Sequence, residues 1–277
     1  MKFALCNEVL QPMAFAEQCR FAKALGYDGL EVAPFTLAED PTKITDAQAA
    51  EFRKIAQDHG IAISGLHWLL VAPPGLSIVS DDAQVRQRTS AFMGRLVELC
   101  AAMGGNYLVH GSPKQRKVPA GATREQAWER ARECLAQAAA RARECGVTYC
   151  IEPLSRRETD LLNTVDEAVK LVKEIGSPAF KTMIDCSAAG QTEALAVHQL
   201  LSNWLTTDFI GHIQVNDPNR RGPGQGDLAF GPILSVLRMW SGWVAVEPFD
   251  YVPDGPGAAA HAIGYLRGVL EGLRHGH

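Results

Sequence analysis

Short apolar runs alternate with longer amphipathic runs along the whole chain. The short runs have the composition of buried parallel strands, and several of the longer ones end at a glycine, as helices do. The predicted strands are Phe3–Cys6, Leu30–Ala33, Ile61–Leu70, Tyr107–His110, Thr148–Glu152, Thr182–Asp185, Ile210–Val215 and Trp243–Glu247. The predicted helices are Ala14–Leu25, Asp46–His59, Ala83–Met103, Arg124–Glu144, Val165–Glu174, Glu193–Asn203, Pro232–Trp240 and Ala258–Arg274.

This alternation gives eight strand–helix units of roughly 30 residues each, which is the spacing of an α/β protein built as a (β/α)8 or TIM barrel. No shift in composition marks a domain boundary, so we predict a single barrel domain over residues 1–277. An open, doubly wound sheet is the alternative, but no Gly-x-Gly-x-x-Gly motif follows the first strand.

Composition narrows the class of protein. The 277 residues are 47% hydrophobic and 21% charged, with a formal net charge of −4 and both signs interspersed, which argues against nucleic acid or a membrane surface as partner. No apolar run is long enough to span a bilayer. The seven cysteines are scattered and form no Cys-x-x-Cys pair, as expected for reduced thiols of a cytoplasmic protein.

Polar side chains end four successive predicted strands. Glu152, Asp185, Gln214 and Glu247 are separated by 33, 29 and 33 residues, which is one strand–helix unit each. Since consecutive strands of a barrel end at one mouth, the four groups can surround a single point, where three carboxylates would repel unless a cation lay among them. Any one of these acids could instead form a salt bridge. Oxygen ligands favour Mn2+ or Mg2+ over Zn2+.

The same segments resemble a known family. The segments are Ile151-Glu-Pro-Leu-Ser-Arg-Arg-Glu158, Met183-Ile-Asp185, His212-Ile-Gln-Val-Asn-Asp-Pro-Asn-Arg220 and Val244-Ala-Val-Glu-Pro248. They resemble the xylose isomerase-like TIM barrels, and among these the ketose 3-epimerases of the D-tagatose (D-psicose) type. The resemblance implies a Mn2+ ion, with Mg2+ or Co2+ as substitutes, held by Glu152, Asp185, Gln214 and Glu247. It also implies that Glu152 and Glu247 form the acid/base pair and that Glu158 and Arg220 contact the sugar.

Two positions depart from the epimerase pattern. The epimerases carry a histidine where this chain has Gln214, whereas hydroxypyruvate isomerases have a similar His-Ile-Gln triplet. A sugar-binding histidine that commonly follows the ligand aspartate by three residues is Ala188 here. The substrate or its pose is therefore expected to differ from that of the epimerases.

The predicted chemistry is the formation of an enediolate from a hydroxy-carbonyl substrate. Return of the proton to the opposite face gives epimerisation, and return to the neighbouring carbon gives isomerisation. Loss of a β leaving group would make the same site a lyase or dehydratase, on a keto-sugar or keto-inositol. A non-catalytic binding subunit is a further alternative, which the presence of both Glu152 and Glu247 disfavours, and a multi-zinc nuclease would need more strand-end histidines.

Other polar residues fall near the predicted mouth. His67 and Trp68 could contact a sugar or belong to the core, and the same holds for His110. Glu31 could bind a hydroxyl group or pair with a neighbouring cation. We include all four among the predicted substrate-binding residues, place His212 in a packing or ligand-orienting role, and expect an unphosphorylated sugar or polyol-derived substrate. The assembly is left open between a homodimer and a homotetramer.

Overall fold

The computed structural model describes residues 1–275, so the last two residues of the predicted domain, Gly276 and His277, lie outside the described part. Eight parallel strands close into one barrel in sequence order, with β1 hydrogen-bonded to both β2 and β8. The strands are β1 Lys2–Cys6, β2 Gly29–Val32, β3 Ala62–Leu66, β4 Tyr107–His110, β5 Thr148–Ile151, β6 Phe180–Asp185, β7 Ile210–Val215 and β8 Trp243–Val246. This confirms the predicted α/β class and the (β/α)8 barrel.

Helices cover the outside of the barrel. They are α1 Phe15–Leu25, α2 Asp46–Asp58, α3 Ala83–Ala102, α4 Arg124–Cys145, α5 Val165–Ile175, α6 Cys186–Thr192, α7 Val197–Trp204, α8 Phe230–Leu237 and α9 Gly255–His275. Threonine side chains cap the start of three helices, at Thr45, Thr123 and Thr164. Gly26 follows α1 with φ 91°, a left-handed conformation that favours glycine, which explains why the predicted end of this helix was right.

Two element predictions were wrong. A single helix was predicted over Glu193–Asn203, but α6 begins directly after β6 and α7 follows it as a separate helix. The third strand was predicted to run to Leu70, but β3 ends at Leu66 and Trp68 adopts φ 52°. A left-handed residue of this kind cannot continue an extended strand.

The barrel interior is partly polar, although barrels are normally filled by branched apolar side chains. Glu31, His67, His212 and Gln214 are all fully buried. Buried polar groups are costly unless they are paired, so these residues indicate a site rather than a packed core alone. All seven cysteines are free, which agrees with the predicted reduced thiols. Within residues 1–275, no helix is both long and apolar enough to cross a membrane.

Candidate metal centre and active site

Three carboxylates converge at the carboxyl ends of the strands. Glu152 directly follows β5, Asp185 is the last residue of β6, and Glu247 directly follows β8. All three are buried, and one ligand oxygen of each lies within 4.8 Å of the others. The structure therefore brings together the three acids that the strand spacing singled out.

The electrostatics of this cluster match a cation site. Burial is the main cause that raises the pKa of Glu152 well above its usual value, and repulsion from Glu247 and Asp185 adds to the effect. Burial likewise raises the pKa of Asp185 to about 7 and that of Glu247 to about 8. A divalent cation would offset this repulsion and favour the ionised carboxylates.

Several oxygen atoms at the cluster are free to act as ligands. Within the described part of the chain, Asp185 Oδ2, Glu247 Oε2 and Gln214 Oε1 are buried and have no hydrogen-bond partner. Three carboxylates and a neutral amide oxygen form a set that suits a hard divalent cation such as Mn2+ or Mg2+. Gln214 is a candidate for this set through its register, because its Cα pairs with that of Asp185 on the neighbouring strand.

Asp185 is held by the helix that follows it. Its Oδ1 accepts a 2.6 Å hydrogen bond from the backbone N–H of Ala188, so Asp185 is the N-cap of α6. Asn216 links the start of α6 to Glu247, since it accepts a hydrogen bond from the N–H of Ser187 at 2.8 Å and donates one to the carbonyl of Glu247 at 3.0 Å. Ala188 thus contributes a backbone donor to Asp185, while its methyl group offers no donor to a substrate.

Gln214 is oriented from inside the barrel. Its Nε2 donates to Glu31 Oε1 at 2.7 Å. Glu31 also accepts from the Tyr107 hydroxyl, and its Oε2 lies 2.8 Å from His212 Nε2, although the ring is not aligned for an N–H hydrogen bond. The prediction placed Glu31 on the substrate, but the structure surrounds its carboxylate with protein groups and leaves it no exposed surface.

His67 lies between two carboxylates. Its Nδ1 is 3.0 Å from Glu247 Oε1 and its Nε2 is 2.9 Å from Glu8 Oε2. Burial alone would lower the pKa of His67, but attraction to Glu8 and hydrogen bonds to both carboxylates raise it well above its usual value. The structure therefore places His67 as a fully buried imidazolium that holds Glu247, rather than at a surface where a sugar could stack.

The rim of the mouth carries the remaining predicted residues. Trp68 packs edge-to-face against Phe35 and Phe249, with ring centroids 5.5 and 5.8 Å apart. Arg220 lies over Phe249 at 4.7 Å, and its Nη1 is 3.9 Å from Glu158 Oε1. Trp68, Arg220 and Glu158 are at least partly exposed, on loops that follow β3, β7 and β5, and so remain accessible to a substrate.

His110 and Arg116 lie on the β4 side of the site. His110 is fully buried with its Nδ1 2.8 Å from the Tyr149 hydroxyl, and burial, with a smaller effect of Arg116, lowers its pKa to about 3. Arg116 donates from Nη1 to the carbonyl of Glu152 at 2.6 Å. Within residues 1–275, Nε and Nη2 of Arg116 have no hydrogen-bond acceptor.

Sequence reasoning missed two residues of the site, Glu8 and Arg116. Glu8 lies in a 3-10 turn over Asn7–Leu10 directly after β1, so it carries the same signal of an acid at a strand end as the three predicted acidic ligands. Arg116 lies in the basic loop that follows β4, where the sequence gives no indication that one of several cations is buried.

Comparisons with known proteins agree with this geometry. A family model described as a xylose isomerase-like TIM barrel matches residues 19–269. D-psicose 3-epimerase from Agrobacterium fabrum is 31% identical over 237 residues, which is 81% of this chain and 76% of that protein. D-psicose 3-epimerase from Enterocloster bolteae is 29% identical over 271 residues, which is 91% of this chain and 87% of that protein.

A solved structure extends the likeness to the whole barrel. D-psicose 3-epimerase with D-tagatose, from Clostridium cellulolyticum H10, superimposes with a TM-score of 0.83 at 23% identity and covers 98% of this chain and 99% of that one. The family model spans the strands that carry Glu152, Asp185, Gln214 and Glu247. The chain therefore belongs to the xylose isomerase-like TIM barrel family, as an enzyme of the isomerase and epimerase class.

Proposed function

We propose that this chain is a divalent-metal-dependent isomerase or epimerase that acts on a ketose or a related hydroxy-carbonyl compound. The observation that carries the proposal is the buried cluster of Glu152, Asp185 and Glu247, with ligand oxygens within 4.8 Å of one another. The similarity to D-psicose 3-epimerases supports a sugar as substrate. Gln214 is the proposed fourth ligand, and Mn2+ is the proposed cation, with Mg2+ or Co2+ as substitutes.

When bound, the cation would polarise the carbonyl oxygen of the substrate and stabilise the negative charge that develops as the adjacent carbon loses its proton. Glu152 and Glu247 are the proposed acid/base pair, because inversion at a carbon requires one group to remove a proton and another to return it to the opposite face. They follow β5 and β8, so they reach the cluster from strands separated by β6 and β7.

The contacts of the three acids favour this division of roles. Asp185 has Oδ1 engaged by the Ala188 N–H, and its Oδ2 is free to bind the cation. Glu247 is held through Oε1 by His67 and has Oε2 free. Burial raises the pKa of Glu247 to about 8 and raises that of Glu152 well above its usual value, so both carboxyls hold a proton more readily than an exposed glutamate does.

The rim residues are proposed to bind the substrate. Trp68 and Phe249 offer apolar ring surfaces at the mouth, and Arg220 and Glu158 offer a donor and an acceptor for hydroxyl groups. A neutral, hydroxyl-rich compound suits this balance of charge, because Arg220 and Glu158 already lie close to one another. His110 has a free buried Nε2 within the described residues and is the further candidate for a substrate contact.

An aldose–ketose isomerase of the hydroxypyruvate type is the second candidate. The specific observations are Gln214, whose amide oxygen faces away from Glu31 without a partner among residues 1–275, and Ala188, which offers no side-chain donor. Both positions differ from the epimerase pattern described above. The proton would then return to the neighbouring carbon rather than to the opposite face of the same carbon.

Deuterium incorporation distinguishes these reactions. The Mn2+-loaded protein would be incubated in D2O with a panel of 2-ketoses and with hydroxypyruvate, and the products followed by NMR. Label at C3 of a ketose with inversion indicates epimerisation. Label at C2, the former carbonyl carbon, with the carbonyl moved to the neighbouring carbon, indicates isomerisation. An elimination product would instead indicate a lyase.

The acid/base assignment has its own test. Glu152→Gln and Glu247→Gln should each lower kcat by roughly 100- to 10,000-fold, because each removes a proton-transferring group. Full activity of either variant would refute the pair. Mn2+ affinity measured in parallel by calorimetry separates a lost base from a lost ligand.

A further inference from the structure

A glutamine ligand raises a problem that a carboxylate does not. Only the oxygen of the amide binds a hard cation, and a half-turn of the amide group would present NH2 to it instead. In this chain Gln214 is fully buried, its Nε2 donates to Glu31 Oε1 at 2.7 Å, and its Oε1 has no partner among the described residues. Something must therefore determine which end of the amide points toward the cation.

Glu31 is itself firmly held. It reaches Gln214 across the barrel interior, since β2 and β7 are not neighbouring strands. The Tyr107 hydroxyl and the Cys6 thiol donate to its carboxylate, the thiol at 3.5 Å, and His212 Nε2 lies 2.8 Å away. These groups fix the position of the carboxylate before any ligand binds.

The charge of Glu31 settles the direction of its bond to Gln214. Its carboxylate is enclosed by donors and by two buried imidazoles, with Oε2 2.8 Å from His212 Nε2 and Oε1 3.8 Å from His67 Nδ1, and such surroundings favour the ionised form. An ionised carboxylate accepts hydrogen bonds and donates none, so only the NH2 end of the amide can face it. The oxygen end then faces away from Glu31, and Gln214 shares its strand register with Asp185, a member of the carboxylate cluster.

We propose that Glu31 is a positioning residue that locks the Gln214 amide with its oxygen toward the cation. The inference rests on the metal site proposed above and assigns Glu31 a role toward the ligand rather than toward the sugar. Partners that orient metal ligands from behind typically change metal affinity by roughly 10- to 100-fold when they are removed. A Glu31 that merely neutralised its histidine neighbours would affect stability without this specific loss of affinity.

A double-mutant cycle on Mn2+ binding tests the proposal. Glu31→Gln, Gln214→Ala and the double variant would be compared with the wild type by isothermal titration calorimetry. Glu31→Gln should weaken Mn2+ binding by roughly 10- to 100-fold, because a neutral amide at position 31 permits either orientation of Gln214. In the Gln214→Ala background the same change should alter the affinity by less than about threefold, since the ligand it positions is gone.

Control variants distinguish a specific loss of Mn2+ affinity from a general loss of folding. Thr182→Val removes one buried hydrogen bond, from Thr182 Oγ to the carbonyl of Ile151, without touching the Glu31 cluster, and should leave the Mn2+ affinity unchanged. Glu31→Asp keeps the charge while withdrawing the acceptor by about one C–C bond, and should bind Mn2+ with an intermediate affinity. Melting curves in chelator report the stability of each variant separately.

The outcomes separate this inference from the proposed function. Equal losses of affinity in both backgrounds, or a lower melting temperature with unchanged affinity, would overturn the positioning role of Glu31 alone. Absence of Mn2+ binding by the wild type would overturn the metal site, and this inference with it. If Glu31→Gln does not fold, Glu31→Asp takes its place: a wild-type Mn2+ affinity in that variant would overturn the positioning role of Glu31.

Discussion

Without metal, the stability of the protein should fall as the pH rises through neutrality. The perturbation is removal of divalent cations by a chelator, which leaves Asp185 and Glu247 with pKa values of about 7 and about 8 instead of the ordinary 3.8 and 4.5. A carboxyl with a raised pKa binds its proton more tightly in the folded state than in the unfolded state. Its contribution to stability is therefore complete below the unfolded pKa and is lost as the pH rises through the folded pKa.

The size of the effect follows from these pKa values. Between about pH 6 and about pH 8.5, a group with a folded pKa near 8 loses about 2.5 kcal/mol of stabilisation, and one with a pKa near 7 about 1.4 kcal/mol. Because repulsion between Asp185 and Glu247 contributes to the shift of Glu247, we take about 3 kcal/mol for the two together. For a chain of this length that corresponds to a fall in melting temperature of about 5 °C.

Differential scanning calorimetry of the chelator-treated protein at the two pH values measures this directly. Addition of Mn2+ should raise the melting temperature more at the higher pH, since metal binding competes with protonation of the same carboxylates. Asp185→Asn removes one of the titrating groups and should flatten the pH dependence of the metal-free protein. A melting temperature that rises with pH without metal, or a Mn2+ effect of equal size at both pH values, would refute the reasoning.

Three further changes test individual contacts. His67→Gln removes the ring that contacts both Glu8 and Glu247, so it should weaken Mn2+ binding by roughly 10- to 100-fold. If His67 only contacted the substrate, the same variant would raise KM and leave the Mn2+ affinity unchanged. Gly111→Ala would place a Cβ against Glu152 Oε2, so it should lower kcat and cost about 1–3 kcal/mol in thermal unfolding. Gly231→Ala is the control: its added Cβ would meet no atom within 4 Å, so it should not destabilise the protein. Arg116→Met removes a cation that lowers the pKa of Glu152, so it should move the acidic limb of the kcat–pH profile to higher pH. An unchanged limb would mean that Arg116 serves only to hold the backbone carbonyl of Glu152.

The barrel and the three clustered acids of the candidate metal site could be predicted from the sequence because both depend on local pattern. Strand and helix periodicities are properties of short segments, and an acid directly after a buried strand is visible without knowing what faces it. The spacing of Glu152, Asp185, Gln214 and Glu247 by about one strand–helix unit each then places them at one mouth through the geometry of the barrel. Glu8 carries the same signal and was missed because a 3-10 turn, rather than the strand itself, presents it.

The partners of these acids could be decided only by the tertiary structure. His67 bridges Glu8 and Glu247, which follow β1 and β8 respectively, and Glu31 reaches Gln214 across the barrel. These pairs are separated by 59 to 183 residues along the chain. Whether a strand-end side chain points to the mouth or into the interior depends on the register, and β2 shifts its register against β3 between Leu30 and Glu31. Local periodicity does not reveal such an irregularity, and it cannot show that Glu31 meets Gln214 across the barrel.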